Sequence, residues 1–166
     1  EDPLRSEYVD GYRSLRGKTA VPLAAGEQFA SKWQFVQMLN DNLMDYCRVD
    51  LCIAGGLTEG RKIAAMCEAH MVDLAVHNPI GPVSTAACLH LNLASPNVLV
   101  QELPKRPGEC LDDVIATDQT WEDGWLSCTG KPGLGVEVDI DAFKKYPFEP
   151  EHLPMMRRED GSYTNW

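Results

Sequence analysis

The chain has 166 residues, 44% of them hydrophobic, which is enough for one domain with a real core and too much for a disordered segment. A formal charge of −10 and a pI near 4.8 argue against nucleic acid or an anionic membrane as partner, since either calls for a basic face. No apolar stretch approaches the roughly 18 residues of a membrane span and no charged-then-apolar leader opens the chain, so it reads as soluble.

The first residues, "EDPLRSEY", lack a methionine and read as part of a longer chain. "TAVPLAAG" (19–26) is a short apolar run with the character of a buried strand. "SKWQFVQMLNDNLMDY" (31–46) spaces Trp33, Val36, Leu39, Leu43 and Tyr46 by three and four, which predicts a helix with Ser31 as its N-cap. "CRVDLCIAGG" (47–56) reads as a strand and a glycine turn. "LTEGRKIAAMCEAH" (57–70) reads as a helix capped by Thr58, with Ile63, Met66, Cys67 and His70 on one side. A strand over 72–78, a helix over 81–95 and a strand over 97–103 follow.

Strand and helix alternate up to Leu103 without hairpin signals, which makes the chain α/β with a parallel sheet or barrel. The remainder, 104–166, is rich in Pro, Gly, Asp and Trp. It is expected to be an irregular tail packed on the barrel, with one short helix at 139–145. The Gly-x-Gly in "KPGLGVEVD" lacks a third glycine and a following helix, so turn glycines are a better reading than a phosphate cradle. Six cysteines (Cys47, Cys52, Cys67, Cys88, Cys110, Cys128) show no CxxC spacing. They read as reduced thiols in a cytoplasmic protein, with no close pair to supply half a zinc site.

The last polar residues of the successive apolar runs are Glu1, Glu27, Asp50, His77 and Glu102. They recur about every 25 residues, the length of one strand-helix unit, and parallel barrels build their active sites at strand C-termini. Taken singly, His77 could be a proton carrier, a metal ligand or a packed core residue. An acidic strand end alone is most often only a wet loop boundary. As a set, the carboxylates are hard oxygen ligands suited to magnesium or manganese, with Glu1 and Glu27 the adjacent pair. Asp50 and His77 fall on consecutive strands, where a carboxylate can fix the imidazole tautomer and make a base. His70 and His90 lie within predicted helices and read as structural; His152 is left without a role.

With these residues placed, the sequence resembles the enolase superfamily in its mandelate racemase/muconate lactonizing enzyme-like branch, and within it the acid-sugar dehydratases. The likeness is carried by "EDP" (1–3), "PLAAGE" (22–27), "DLCIAGGLTEGRKIAAM" (50–66), "HNPIGPVSTAACLH" (77–90), "VQE" (100–102) and "KPGLGVEVD" (131–139). It covers essentially all of this chain, yet only the C-terminal half or less of a family member.

The resemblance implies the second half of a (β/α)8 (TIM-like) barrel over 1–103, a tail over 104–166, and a capping domain and first strands absent from this chain. It also implies Glu1 and Glu27 as magnesium ligands, His77 as general base, Asp50 as the residue that orients it, and Glu102 as stabiliser of an enediolate. The activity implied is removal of the α-proton of a sugar acid and expulsion of the β-hydroxyl, giving a 2-keto-3-deoxy acid, a lyase reaction of carbohydrate metabolism. A homo-oligomer is the family's common state.

The first metal ligand and the general acid would precede Glu1, so the piece alone is expected to be inactive. "HNPIG" is galactonate dehydratase-like, whereas "YCR" before Val49 and the tail are mannonate dehydratase-like, although that group lacks the activating Asp found here as Asp50. A racemase or epimerase of 2-hydroxy acids on the same scaffold and a non-catalytic barrel relative are the alternatives. The first would need a second base facing His77. The second is opposed by the retention of all five strand-end residues.

Overall fold

The computed structural model describes residues 1–150 and 156–164; His152 lies outside them. A first helix, α1 (Val9–Arg16), has no counterpart in the periodicity reading. It carries Asp10 in its first turn and Arg13 and Arg16 in its last, as the helix dipole favours. Arg16 forks onto Asp45 at 2.5 and 2.7 Å, and Arg13 reaches Asp41. These pairs fasten α1 to the turn between α2 (Lys32–Asn40) and β2 (Tyr46–Cys47). Tyr12 is fully buried, with its hydroxyl donating to the Leu4 carbonyl at 2.8 Å.

The expected 31–46 helix stops at Asn40. Asn42 adopts φ 52, a left-handed conformation that Asn tolerates, and Leu43 and Met44 drop into the core from the turn. The buried face of α2 is Phe35, Met38 and Leu39, and Trp33 is left 72% exposed. Phe29 meets Phe35 edge-on, ring centroids 5.0 Å apart.

The strand read over 47–56 is also shorter than expected. After β2 the chain turns at Asp50 into a one-turn helix α3 (Leu51–Ala54), and α4 (Gly56–Ala69) follows through Gly55. Thr58 therefore lies inside the first turn of α4 and does not cap it. His70 ends that helix, with its Nδ1 on the Met66 carbonyl at 2.9 Å and its Nε2 3.3 Å from Asn40, which is a structural role.

The remaining units are β3 (Asp73–Val76), α5 (Pro82–Leu93) and β4 (Val98–Gln101). With β1 (Ala24–Ala25) they make one fully parallel sheet in the order β1-β2-β3-β4. The core lies between this sheet and the helices: Phe35, Met38, Cys47, Val49, Ile63, Cys67, Leu74, Val76 and Leu91 are all essentially inaccessible. The six cysteines are free, and burial pushes Cys88 up to about 12 and Cys47 well above the usual thiol range. No helix among the described residues is long and apolar enough to cross a membrane.

The segment after Leu103 holds more regular structure than its composition announced. β5 (Ile115–Thr117) pairs antiparallel with β8 (Val136–Val138), and β6 (Thr120–Glu122) with β7 (Trp125–Ser127). Asp123 and Gly124, at φ 48 and 85, form the two-residue turn of the second pair. A 3-10 helix, Ala142–Lys145, falls within the expected 139–145 helix. Gly133 and Gly135 both adopt positive φ in the turn leading to β8, in line with the turn reading of the Gly-x-Gly.

Candidate functional site

Parallel alternation delivers polar side chains to one end of the sheet. Glu27 follows β1, Asp50 follows β2, His77 directly follows β3 and Glu102 directly follows β4. Glu1 belongs to no strand, but the Asp2 N–H donates to the Ala24 carbonyl at 2.9 Å and so lays the chain start along β1. Gly26 sets the approach to Glu27: its φ is 121, and a Cβ there would come within 2.7 Å of the Phe35 ring.

Asp50 does two things. One carboxylate oxygen caps α3, accepting from the Cys52 N–H at 2.7 Å and the Ile53 N–H at 3.2 Å. The other lies 2.9 Å from His77 Nδ1, and the two residues also form a parallel backbone bridge. Because a carboxylate only accepts, this contact places the ring proton on Nδ1 and leaves the Nε2 lone pair free. Nε2 points toward Glu27, whose Oε2 is 3.5 Å away. The structure thus brings the sequence-expected Asp50 and His77 together.

Glu1 and Glu27 are also brought together, in company with a third carboxylate. Oxygens of Glu1, Asp2 and Glu27 all lie within 4.8 Å of one another. Asp2 is not among the ligands expected from the sequence, because in an extended chain the neighbour of Glu1 faces the opposite side. Its φ of 36 turns it back. One Asp2 oxygen is buried with no hydrogen-bond partner, and burial, with the Glu27 charge beside it, raises the Asp2 carboxyl to about 6. An all-oxygen, acidic donor set with an unpartnered buried oxygen fits a hard divalent cation.

Glu102 is gripped from two sides. Its Oε2 accepts from the Asn78 backbone N–H at 2.6 Å and from Arg48 Nη2 at 3.0 Å. Asn78, fully buried, ties the same region together by donating to Thr85 Oγ1 and to the Glu102 carbonyl.

Arg48 is not among the site residues expected from the sequence, yet it sits 5% exposed in the middle of the acidic ring. The signal existed: a charged residue inside an apolar strand, two positions before Asp50 and so on the same face.

Residues 1–142 match the family model described as enolase C-terminal domain-like. A D-mannonate dehydratase of Caulobacter vibrioides is 39% identical over 168 residues, covering 100% of this chain and 41% of that protein. A D-galactonate dehydratase of Xanthomonas oryzae pv. oryzae is 38% identical over 174 residues, covering 100% of this chain and 46% of that protein. The chain thus spans less than half the length of these relatives.

Among solved structures, an enolase from Agrobacterium radiobacter with bound Na and L-malate superimposes with a TM-score of 0.87 at 31% identity, over 98% of this chain and 45% of that one. An enolase from Pantoea ananatis with bound D-gluconate and Mg gives 0.84 at 31% identity, over 90% of this chain and 36% of that one. The chain belongs to the enolase C-terminal domain-like family, and its four parallel strands with their helices are part of that family's (β/α)8 barrel.

Proposed function

We propose that this chain is the C-terminal part, barrel strands plus tail, of a sugar-acid dehydratase that works with magnesium or manganese. The observation that carries the reading is the Asp50–His77 contact of 2.9 Å, with the free Nε2 turned toward the acidic ring at the strand ends. The relatives' sugar-acid dehydratase names and the D-gluconate and Mg bound to the Pantoea ananatis enolase support it.

In this reading Glu1 and Glu27, joined by Asp2, would hold the cation. Bound there, a divalent cation supplies Lewis-acid stabilisation of the charge that develops on the substrate carboxylate as the α-proton leaves. His77 Nε2 takes that proton, and Asp50 holds the ring and stabilises the imidazolium that forms. Glu102, fixed by Asn78 and Arg48, would stabilise the enediolate. The electron pair of the broken C–H bond expels the β-hydroxyl, which takes a proton from a general acid of the full-length protein and leaves as water. The enol that remains tautomerises to a 2-keto-3-deoxy acid.

Identities of 39% to a mannonate and 38% to a galactonate enzyme favour neither of these two diastereomeric acids, so the proposal is for the sugar-acid class. The deciding experiment uses the full-length protein with Mg2+ and a panel that includes D-galactonate and D-mannonate. Wild type should exchange the α-proton in D2O and release a 2-keto acid. His77→Asn should slow exchange by about 10²- to 10⁴-fold. Unchanged exchange in His77→Asn would remove His77 as the base.

A further inference from the structure

We infer that Arg48 is a positioning residue of the strand-end site, a fixed internal positive charge that holds Glu102 in place and lowers the affinity of the Glu1–Asp2–Glu27 cluster for a divalent cation. The inference rests on reading Glu1 and Glu27 as cation ligands. Arg48 Nη1 donates to the Ala75 carbonyl of β3 at 3.0 Å, a backbone anchor that keeps the guanidinium from swinging out to solvent. Nη2 then lies 3.0 Å from Glu102 Oε2, 3.2 Å from Glu1 Oε1 and 3.7 Å from Glu27 Oε2. One nitrogen thus faces three carboxylates contributed by three separated stretches of chain, and the Arg48 side chain is only 7% exposed.

An arginine suits this place because its planar fork is pre-organised and never loses its charge, so it meets a backbone oxygen and a carboxylate together. The same charge repels any cation that binds Glu1 and Glu27. A unit charge about 6 Å from a divalent ion corresponds to about tenfold in affinity even with water-like screening. Removing it would also leave the carboxylates repelling one another, which favours a cation further. Both effects act in one direction. The advantage of the arrangement is geometric: Glu102 stays pinned between Asn78 and Arg48 whether or not a cation is bound.

The test is Mn2+ binding, followed by electron paramagnetic resonance, in the full-length protein and in Arg48→Gln, Arg48→Lys and Glu27→Gln variants. α-Proton exchange of D-galactonate and D-mannonate in D2O is the second readout. Glu27→Gln should weaken Mn2+ at least about tenfold. If it binds Mn2+ as wild type does, the reading of the cation ligands fails. With that reading intact, Arg48→Gln should bind Mn2+ about tenfold tighter while exchange slows, and Arg48→Lys should stay within about threefold of wild-type Mn2+ affinity. Unchanged or weakened Mn2+ binding in Arg48→Gln overturns the inference, because a merely structural arginine would give that result. Should Arg48→Gln not fold, Arg48→Met decides: Mn2+ bound about tenfold tighter than wild type supports the inference, and unchanged or weakened binding overturns it.

Discussion

The sheet-and-helix region up to Leu103 and the segment after it are stabilised by different physics. In the first, buried side chains of the helices and of the parallel sheet form one core that is inaccessible to water. In the second, Val114 and Ile115 are the only buried apolar side chains among the described residues, and Trp125, Ile140 and Phe148 are 75% exposed or more. Short antiparallel pairs and turns hold that segment together. Burial therefore dominates one region and local turn chemistry the other, and substitutions should separate them. The measurements below refer to the full-length protein.

The largest expected effect is Phe35→Ala, about 3–5 kcal/mol of stability by denaturant unfolding, because a fully buried ring that meets Phe29 and borders Gly26 would leave a cavity. A loss under about 1 kcal/mol would mean that the region is not packed as described. Next comes Asp50→Asn, which keeps a good cap for α3 but turns an N–H toward His77 Nδ1 or forces the other tautomer. Stability should change by under about 0.5 kcal/mol while α-proton exchange slows about 100-fold, a split that distinguishes orientation of the base from support of the fold.

Arg16→Met should cost about 1–2 kcal/mol at neutral pH. The hydrogen bond from Arg16, assisted by the Leu23 N–H and opposed by partial burial, holds the Asp45 carboxyl below its ordinary 3.8. A carboxyl with a depressed native pKa contributes stability above its unfolded value and loses it as pH falls through the native one. Stability curves of wild type and Arg16→Met should therefore differ above pH 3.8 and converge at lower pH. Parallel curves across the acid range would show that the pair carries no linkage.

The smallest effect is Gly124→Ala. A side chain at φ 85 in a two-residue turn costs about 1 kcal/mol, and the effect should be confined to hydrogen exchange of Thr120–Ser127 with no change in turnover. A global loss of stability would instead couple the tail to the core.

Legibility followed the same division. The four parallel strands were readable as short apolar runs, and α4 and α5 as the periodic or small-residue stretches between them. His77, Asp50, Glu27 and Glu102 were readable because each ends or follows such a run, and Glu1 because it keeps their spacing of about 25 residues. α1 was missed because its packing rests on Tyr12 and on arginines paired with Asp41 and Asp45, partners 28 and 29 residues away in sequence. The β6–β7 pair did carry a local signal, Asp123-Gly124, which was submerged in a glycine- and proline-rich composition.

By itself the sequence determined the α/β alternation and the rank of polar residues at the strand ends, since both follow from the period of burial along one chain. The tertiary structure decided what those residues do to one another. Asp2 is turned back into the acidic ring by its own backbone, Asp50 spends one oxygen on a helix and the other on His77, and Arg48 comes to face Glu1, Glu27 and Glu102 at once. Charges 21 to 54 residues apart meet only when strands align, and no periodicity along the chain records which of them will share a bond.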